Sequence, residues 1–290
     1  MAIALSRTQM QRGRWSRVVP FLQRLSPAAK LSLVIVFCLS LPLIAPRWLA
    51  PYDPTAVAPS EIFQPPSARH WLGTDQFGRD ILSRLIYGAR NSLTLGLVSV
   101  SLSVLISVPL GLAAGYYRGP LDAVTMRVVD IVMAFPGILL ALVVIAILGP
   151  GLTNAMIAVG IGEAPAYTRV VRGSTLVVRE QSYIEAARAI GTRDYRIIKD
   201  YVFPNVIQAL IVIATVGFAV AIVIGSSLGF LGLGAQPPAA EWGTMVSDGR
   251  NYLRTEWWIS AFPGATIGMV VLAINVLGDA LRDILDPRLR

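Results

Sequence analysis

The feature that most limits what this chain can fold into is a series of long runs without charge. They lie at Leu31–Pro46, Asn91–Tyr117, Ile131–Gly162, Tyr201–Ala240 and Trp257–Gly278. A helix needs about 20 mostly apolar residues to cross a bilayer. Each run but the first comfortably reaches that length, and the third exceeds it, with Gly149-Pro150-Gly151 interrupting it. Cutting there predicts six membrane spans, near 31–49, 91–115, 127–148, 152–168, 206–229 and 261–281. Only 14% of the 290 residues are charged and 54% are hydrophobic. A soluble domain carries about a quarter charged residues, so the expected fold is an all-α polytopic membrane protein. Residues 1–30 read as a basic cytoplasmic segment, with a short interfacial helix around Val18–Leu25, and 31–290 as the membrane domain.

Lys and Arg set the orientation, since they concentrate on the cytoplasmic side. Six spans put both termini on one side, together with Arg118, Arg127 and the seven basic residues of 169–205. That side is expected to be the cytoplasm. The net charge of +8 then belongs to insertion and to anionic lipid, and nucleic acid is not expected as a partner. The first span is expected to be retained as an anchor, because Pro46-Arg47 makes a poor cleavage site.

Enzyme chemistry finds little support. Gly225-Ser226-Ser227-Leu228-Gly229 matches G-x-S-x-G, but a nucleophile elbow needs a strand-to-helix turn with acid and histidine following. The one histidine, His70, lies upstream in an outside loop. The one cysteine, Cys38, lies within the first span, so neither a disulfide framework nor a cysteine metal site is expected. Neither of the two lysines, Lys30 and Lys199, sits in a G-x-x-x-x-G-K-[ST] loop. ATP, if used, must be used by a partner, and no cofactor is expected in this chain.

Polar groups within spans mark function by default. Glu163 is the clearest; it reads either as a group near the cytoplasmic end of the fourth span or as part of a translocation path, with Ser226 and Ser227 as further candidates. Asp130 is expected to pair with Arg127 three residues before it, and Asn275 with Asp279 four residues on. Small residues four apart, Gly111 and Gly115, then Gly217, Ala221 and Gly225, predict close helix packing. In the outside loop, Thr74 or Asp75 is expected to cap a surface helix carrying Ile81, Leu82, Leu85 and Ile86 into the second span.

One polar island stands between greasy runs: YIEAARAIGTRDYRIIKDYVFPN, Tyr183–Asn205. It predicts a helix over Ser182–Ile190 with Ile184, Ala187 and Gly191 on one stripe. A second helix is expected after it, capped by Thr192, with Ile197, Ile198, Tyr201 and Val202 on its apolar face. A flat Ala/Gly stripe suits docking into another protein's groove. Pro204 is expected at the entry to the fifth span.

EAARAIG, thirteen residues before Pro204-Asn205, resembles the EAA loop of ABC importer permeases. LGTDQFGRDILSRLIYGARNSL (72–93), MRVVDIVMAFPGILLALV (126–143), SSLGFLGLGAQPPAAEWGTM (226–245) and NVLGDALRDILDPRL (275–289) resemble the C-type permease subunit of dipeptide, oligopeptide, nickel and glutathione importers. Tyr201 stands where that family often has His, and Ala164 where an aromatic residue precedes Pro165. The resemblance implies a type I importer permease in a bacterial or archaeal cytoplasmic membrane. It implies four kinds of contact: a second related permease forming a heterodimer, two cytoplasmic ATPase subunits, an extracytoplasmic binding protein, and lipid. It assigns coupling to the ATPase to Glu185, Ala186, Ala187, Arg188, Gly191, Arg193 and Pro204. Thr74, Asp75, Arg79, Glu241 and Trp242 become candidates for contact with the binding protein or for the gate. Small peptides are the expected cargo, with nickel chelates or glutathione as the alternative; a gradient-driven transporter and an intramembrane hydrolase are the remote alternatives.

Overall fold

The computed structural model describes residues 26–285; the basic segment before residue 26, its interfacial helix and the end of the DPRL stretch lie outside them. With few polar side chains available, the backbone satisfies its own donors and acceptors, and the uncharged runs become helices. Helix α1 (Pro27–Ile44) starts under Ser26, whose Oγ accepts from Ala29 N, and a single-turn α2 (Pro46–Leu49) follows it. Prolines therefore break the first predicted span at Ala45. The outside loop holds a 3₁₀ turn, Pro59–Glu61.

Helix α3 (Ile81–Tyr117) is much longer than the predicted second span. Its cap is Asp80, not Thr74 or Asp75: Asp80 Oδ2 accepts from Ser83 N at 2.8 Å and from Ser83 Oγ at 2.7 Å. Ile81 and Leu85 are buried, so this end of the helix enters the core instead of lying on a membrane surface. A tight turn with positive φ at Arg118 and Gly119 leads into α4 (Gly119–Met133). The predicted third span is bent by 92° into α4 and α5 (Gly137–Leu148). Pro136 is the signal for that break, since Phe135 before it is pushed out of the helical region.

Gly149 and Gly151, both with positive φ, separate α5 from α6 (Leu152–Arg179), as the GPG motif predicts. Helix α6 continues well past residue 168, which places Glu163 near its middle and not near its end. Then follow α7 (Ser182–Ala189), a single helical turn α8 (Asp194–Arg196), a π-helical turn (Ile197–Val202) and α9 (Phe203–Phe230). Pro204 cannot donate to Asp200, and its ring crowds that carbonyl; the backbone widens into the π turn just there. The chain ends with α10 (Trp242–Gly249), a 3₁₀ turn at Arg250–Tyr252 and α11 (Trp258–Leu285).

Among the described residues four helical stretches are long and apolar enough to cross a membrane: Pro27–Ile44, Ile81–Tyr117, Asp194–Phe230 and Trp258–Ile284. The bent α4–α5 pair makes a fifth if it counts as one span. Helix α6 falls short because Asn154, Glu163, Arg169 and Arg172 lower its hydropathy, and small residues on both helices seat it on α3. A Cβ at Gly111 would lie 2.7 Å from Val171 Cβ, one at Gly115 2.7 Å from Thr175 Cβ, and one at Gly160 2.9 Å from Leu102 Cβ. Ser99 Oγ donates to Met156 O at 2.9 Å and Ser103 Oγ to Gly160 O at 2.8 Å, so α3 and α6 are also joined by hydrogen bonds. Gly217 of α9 admits the Tyr167 ring, and Gly225 admits Leu95. The small-residue stripes thus serve packing within this one chain.

Candidate functional site

Two ends of the helical body carry the candidate residues. At the α7 end, Ile184 and Ala187 of the stripe face inward, and Gly191 is exposed. Ile184 and Ala187 are buried against Leu112, Tyr116, Ile197 and Val202 of the chain's own core. The exposed side of α7 holds Ser182, Tyr183, Glu185, Ala186, Arg188 and Ala189, and Ile190 just past its end is 82% exposed. Gly191, at φ +79°, closes α7: its N–H donates to Arg188 O at 2.9 Å, and Thr192 N donates to Ala187 O at 3.0 Å. This pair of bonds is a Schellman closure with glycine in the left-handed position. Thr192 therefore ends α7 and does not cap the next helix; Arg193 occupies that cap position through its backbone, with its side chain exposed. Of the second helix's predicted apolar face, Ile197 and Val202 are buried and Ile198 is half-buried, while Tyr201 is exposed. Pro204 is exposed in the first turn of α9.

Ion pairs clip α4 and its flanks to α6. Arg172 Nε and Nη2 grip Asp122 at 2.5 and 2.6 Å, Arg169 meets Asp130 at 2.5 Å, and Arg118 meets Glu180 at 2.5 Å. Asp130 thus pairs across helices and not with Arg127, because the bend turns α4 toward α6.

At the other end, all five candidate loop residues are buried. Asp75 Oδ1 accepts from Phe77 N at 2.9 Å and Arg79 N at 3.0 Å, and its Oδ2 accepts from Arg79 Nε at 2.7 Å. Thr74 Oγ1 donates to Glu61 O and accepts from Gln64 N. Glu241 caps α10, accepting from Gly243 N, Thr244 N and Ser92 Oγ at 2.8, 2.9 and 3.1 Å. Burial pushes its carboxyl above the usual glutamate range, and those three hydrogen bonds oppose the push. Trp242 Nε1 donates to Leu85 O at 3.1 Å. These side chains brace the loop from inside, so any outward contact belongs to the backbone and neighbours they hold in place. Sequence reading passes over Arg84 and Asp248, whose guanidinium and carboxylate lie 3.5 Å apart and join this cluster. Arg84, one turn into α3, is the only signal of that pairing, and its partner is 164 residues away.

The G-x-S-x-G match falls inside continuous α9. Ser227 Oγ donates to Val223 O at 2.8 Å, one turn back on its own helix. His70 is buried in the loop with Nδ1 3.0 Å from Asp80 Oδ1 and Nε2 3.3 Å from Glu61 Oε2. Neither residue is arranged as half of a hydrolytic dyad. Ser226 and Ser227 instead line an open concavity of about 460 Å³ with Ile138, Phe230, Val246 and Ile267. Glu163 is half-buried on α6, one turn before Tyr167, whose buried Oη lacks a partner among the described residues.

With this geometry in hand, comparison with known proteins is informative. A family model described as "Binding-protein-dependent transport system inner membrane component" matches residues 107–290. The chain is 47% identical over 264 residues to the di/tripeptide transport system permease protein DppC of Pseudomonas aeruginosa (strain UCBPP-PA14), covering 89% of this chain and 86% of that one. It is 40% identical over 290 residues to the glutathione transport system permease protein GsiD of Escherichia coli O1:K1 / APEC, covering 100% and 95%. Among solved structures, the inward-facing MetNI methionine ABC transporter shares the fold at a TM-score of 0.58 and 21% identity, over 71% of this chain and 98% of that one.

Proposed function

The chain belongs to the family of binding-protein-dependent transport system inner membrane components, and on that premise we propose that it is one permease subunit of an ABC importer for small peptides. It is a multi-pass inner-membrane protein. The observation that carries the peptide reading is the 47% identity, spanning nearly the whole chain, to a di/tripeptide permease. Glutathione, itself a small peptide, is the second reading, favoured by the likeness to a glutathione permease along the full length.

In this reading α6 and the α4–α5 pair complete six spans, with both termini in the cytoplasm and the 1–30 segment among anionic headgroups. The exposed side of α7, with Glu185, Ala186 and Arg188, docks on a cytoplasmic ATPase, and Gly191, Arg193 and Pro204 fix its angle to α9. Support comes from the exposure of Glu185, Ala186 and Arg188 on a short helix whose other face packs on the bundle, an arrangement suited to a partner's groove. A second, related permease covers the apolar sides left open, and the Glu163 and Ser226–Ser227 surfaces face the path between the two. The 50–80 loop and the Glu241–Trp242 corner support the gate and the surface met by the binding protein. Hydrolysis of ATP by the partners shifts the bundle between inward- and outward-open arrangements, a rigid-body exchange between two packed states.

The test is uptake of a labelled dipeptide by proteoliposomes holding this chain with its partner permease, ATPases and binding protein. ATP-dependent uptake that dipeptides and glutathione compete for is expected. Uptake by this chain alone, driven by an ion gradient, would overturn the assignment.

A further inference from the structure

We propose that Tyr116 is the positioning residue through which movement of α7 is passed to the transmembrane bundle, acting by its hydrogen bond to Asp194. The role rests on the importer reading above.

Tyr116 is the penultimate residue of α3 and is buried, 3% exposed. Three other elements meet on it. Its Oη donates to Asp194 Oδ1 at 2.7 Å, and Asp194 opens the helical turn that runs through the π segment into α9. Its ring lies under Arg188 of α7, with Cζ 5.2 Å from the centroid, and under Arg179 at the end of α6, with Cζ 5.8 Å away. Both distances are within the range of cation–π attraction. Arg179 Nη1 also donates to the Tyr116 carbonyl. Ile184 and Ala187, the buried side of α7, complete the packing around the ring.

Below this junction α3 and α6 move as one piece. Gly111 and Gly115 bring the helices to backbone contact, and the Ser99 and Ser103 hydrogen bonds tie them farther along. At the far end, α3 is held to α10 by Asn91 Nδ2 donating to Ala240 O at 2.6 Å, by the Ser92–Glu241 bond, and by Trp242. A force on α7 therefore reaches α3 at Tyr116 and at Leu112 one turn before it, while a rigid helix pair carries it across the bundle. The aromatic ring supplies contact, but contact with flexible arginines leaves the angle between α7 and α3 free. The hydroxyl bond to Asp194, three residues past Gly191 at the start of α8, ties the end of α3 to the segment that follows α7, and it is short and directional.

Tyr116→Phe keeps the ring and deletes the bond. In proteoliposomes of the assembled importer it is expected to raise ATP hydrolysed per peptide imported about fivefold, the net worth of one hydrogen bond, with normal insertion and assembly. Asp194→Asn, which retains an acceptor oxygen, should stay near the wild-type ratio, and Asp194→Ala should match Tyr116→Phe. The double variant Tyr116→Phe with Asp194→Ala should be no worse than either alone, since both remove one interaction. A purely structural residue would lower uptake and hydrolysis in parallel, and an unchanged ratio in Tyr116→Phe overturns the proposal. So does a double variant whose effects multiply. A wild-type assembly that shows no ATP-driven peptide uptake sinks the importer reading itself, which separates the two failures.

Discussion

At the scale of single residues, backbone conformation and burial decide what each group can do. Gly191 sits at φ +79° with open space where a side chain would go, so conformation alone demands glycine there. Forcing a β-branched residue into the left-handed region costs about 1–2 kcal/mol. Gly191→Val should therefore distort the α7–α8 turn and raise ATP consumed per peptide without loss from the membrane, while Gly191→Asn, which tolerates that region, should stay near wild type. Equal ratios for the two variants would refute this account. Glu241 makes a different prediction. Its carboxyl is raised by burial, so the folded state binds that proton more tightly than the unfolded chain does. The resulting contribution to stability is complete below the ordinary glutamate range and is lost as pH rises through the raised value. Glu241→Gln, which does not titrate, should accordingly gain in melting temperature relative to wild type as pH rises. A difference that stays flat with pH would contradict the shift.

Among the elements, the α3–α6 pair makes the sharpest claim. Gly111→Leu must place atoms where Val171 already stands, 2.7 Å from the new Cβ, and overpacking of this kind costs about 1–3 kcal/mol. A fall in melting temperature and in assembled complex is expected. Gly173→Leu, on the partner helix α6 with nothing within 4 Å, should be tolerated; equal damage from both would mean the glycines matter for helix propensity and not for fit. Periodicity and apolar runs made the helices themselves legible in the sequence, and GPG marked the α5–α6 break. Their ends were less legible. Apolarity marks where a bilayer ends, but α3 and α6 continue beyond it, held by Asp80 at one terminus and by packing on each other along their length. The bend at Pro136 was readable and was missed because the surrounding run is uniformly apolar. The direction of the α7 stripe was not readable at all: Ala187 suits either a partner's groove or the chain's own core, and only the position of Tyr116 decides between them.

For the whole molecule, orientation is the property to test. In a Cys38→Ser background, a single cysteine at Ile190, 82% exposed, and one at Trp71, 72% exposed, should react with a membrane-impermeant maleimide from opposite sides. Ile190 is expected to label only from the cytoplasmic face; labelling of both from one face would overturn the six-span arrangement. The family was legible because long motifs recur in order along the chain. Thr74, Asp75, Arg79, Glu241 and Trp242 are buried where residues of an outside loop suggest a surface, because their polar groups find partners inside it. The 37 residues of α3 extend about 55 Å, against a hydrocarbon layer of about 30 Å. Even with tilt, such a helix exceeds the hydrocarbon layer, and because its uncharged part is 91–117, the excess falls at the Ile81 end, among the outside loop and α10. A change of membrane thickness with growth temperature or lipid supply would then be taken up at that end, while the Tyr116 junction keeps its packing against α6 and α7. In vesicles of graded acyl length, insertion efficiency should change before ATP consumed per peptide does.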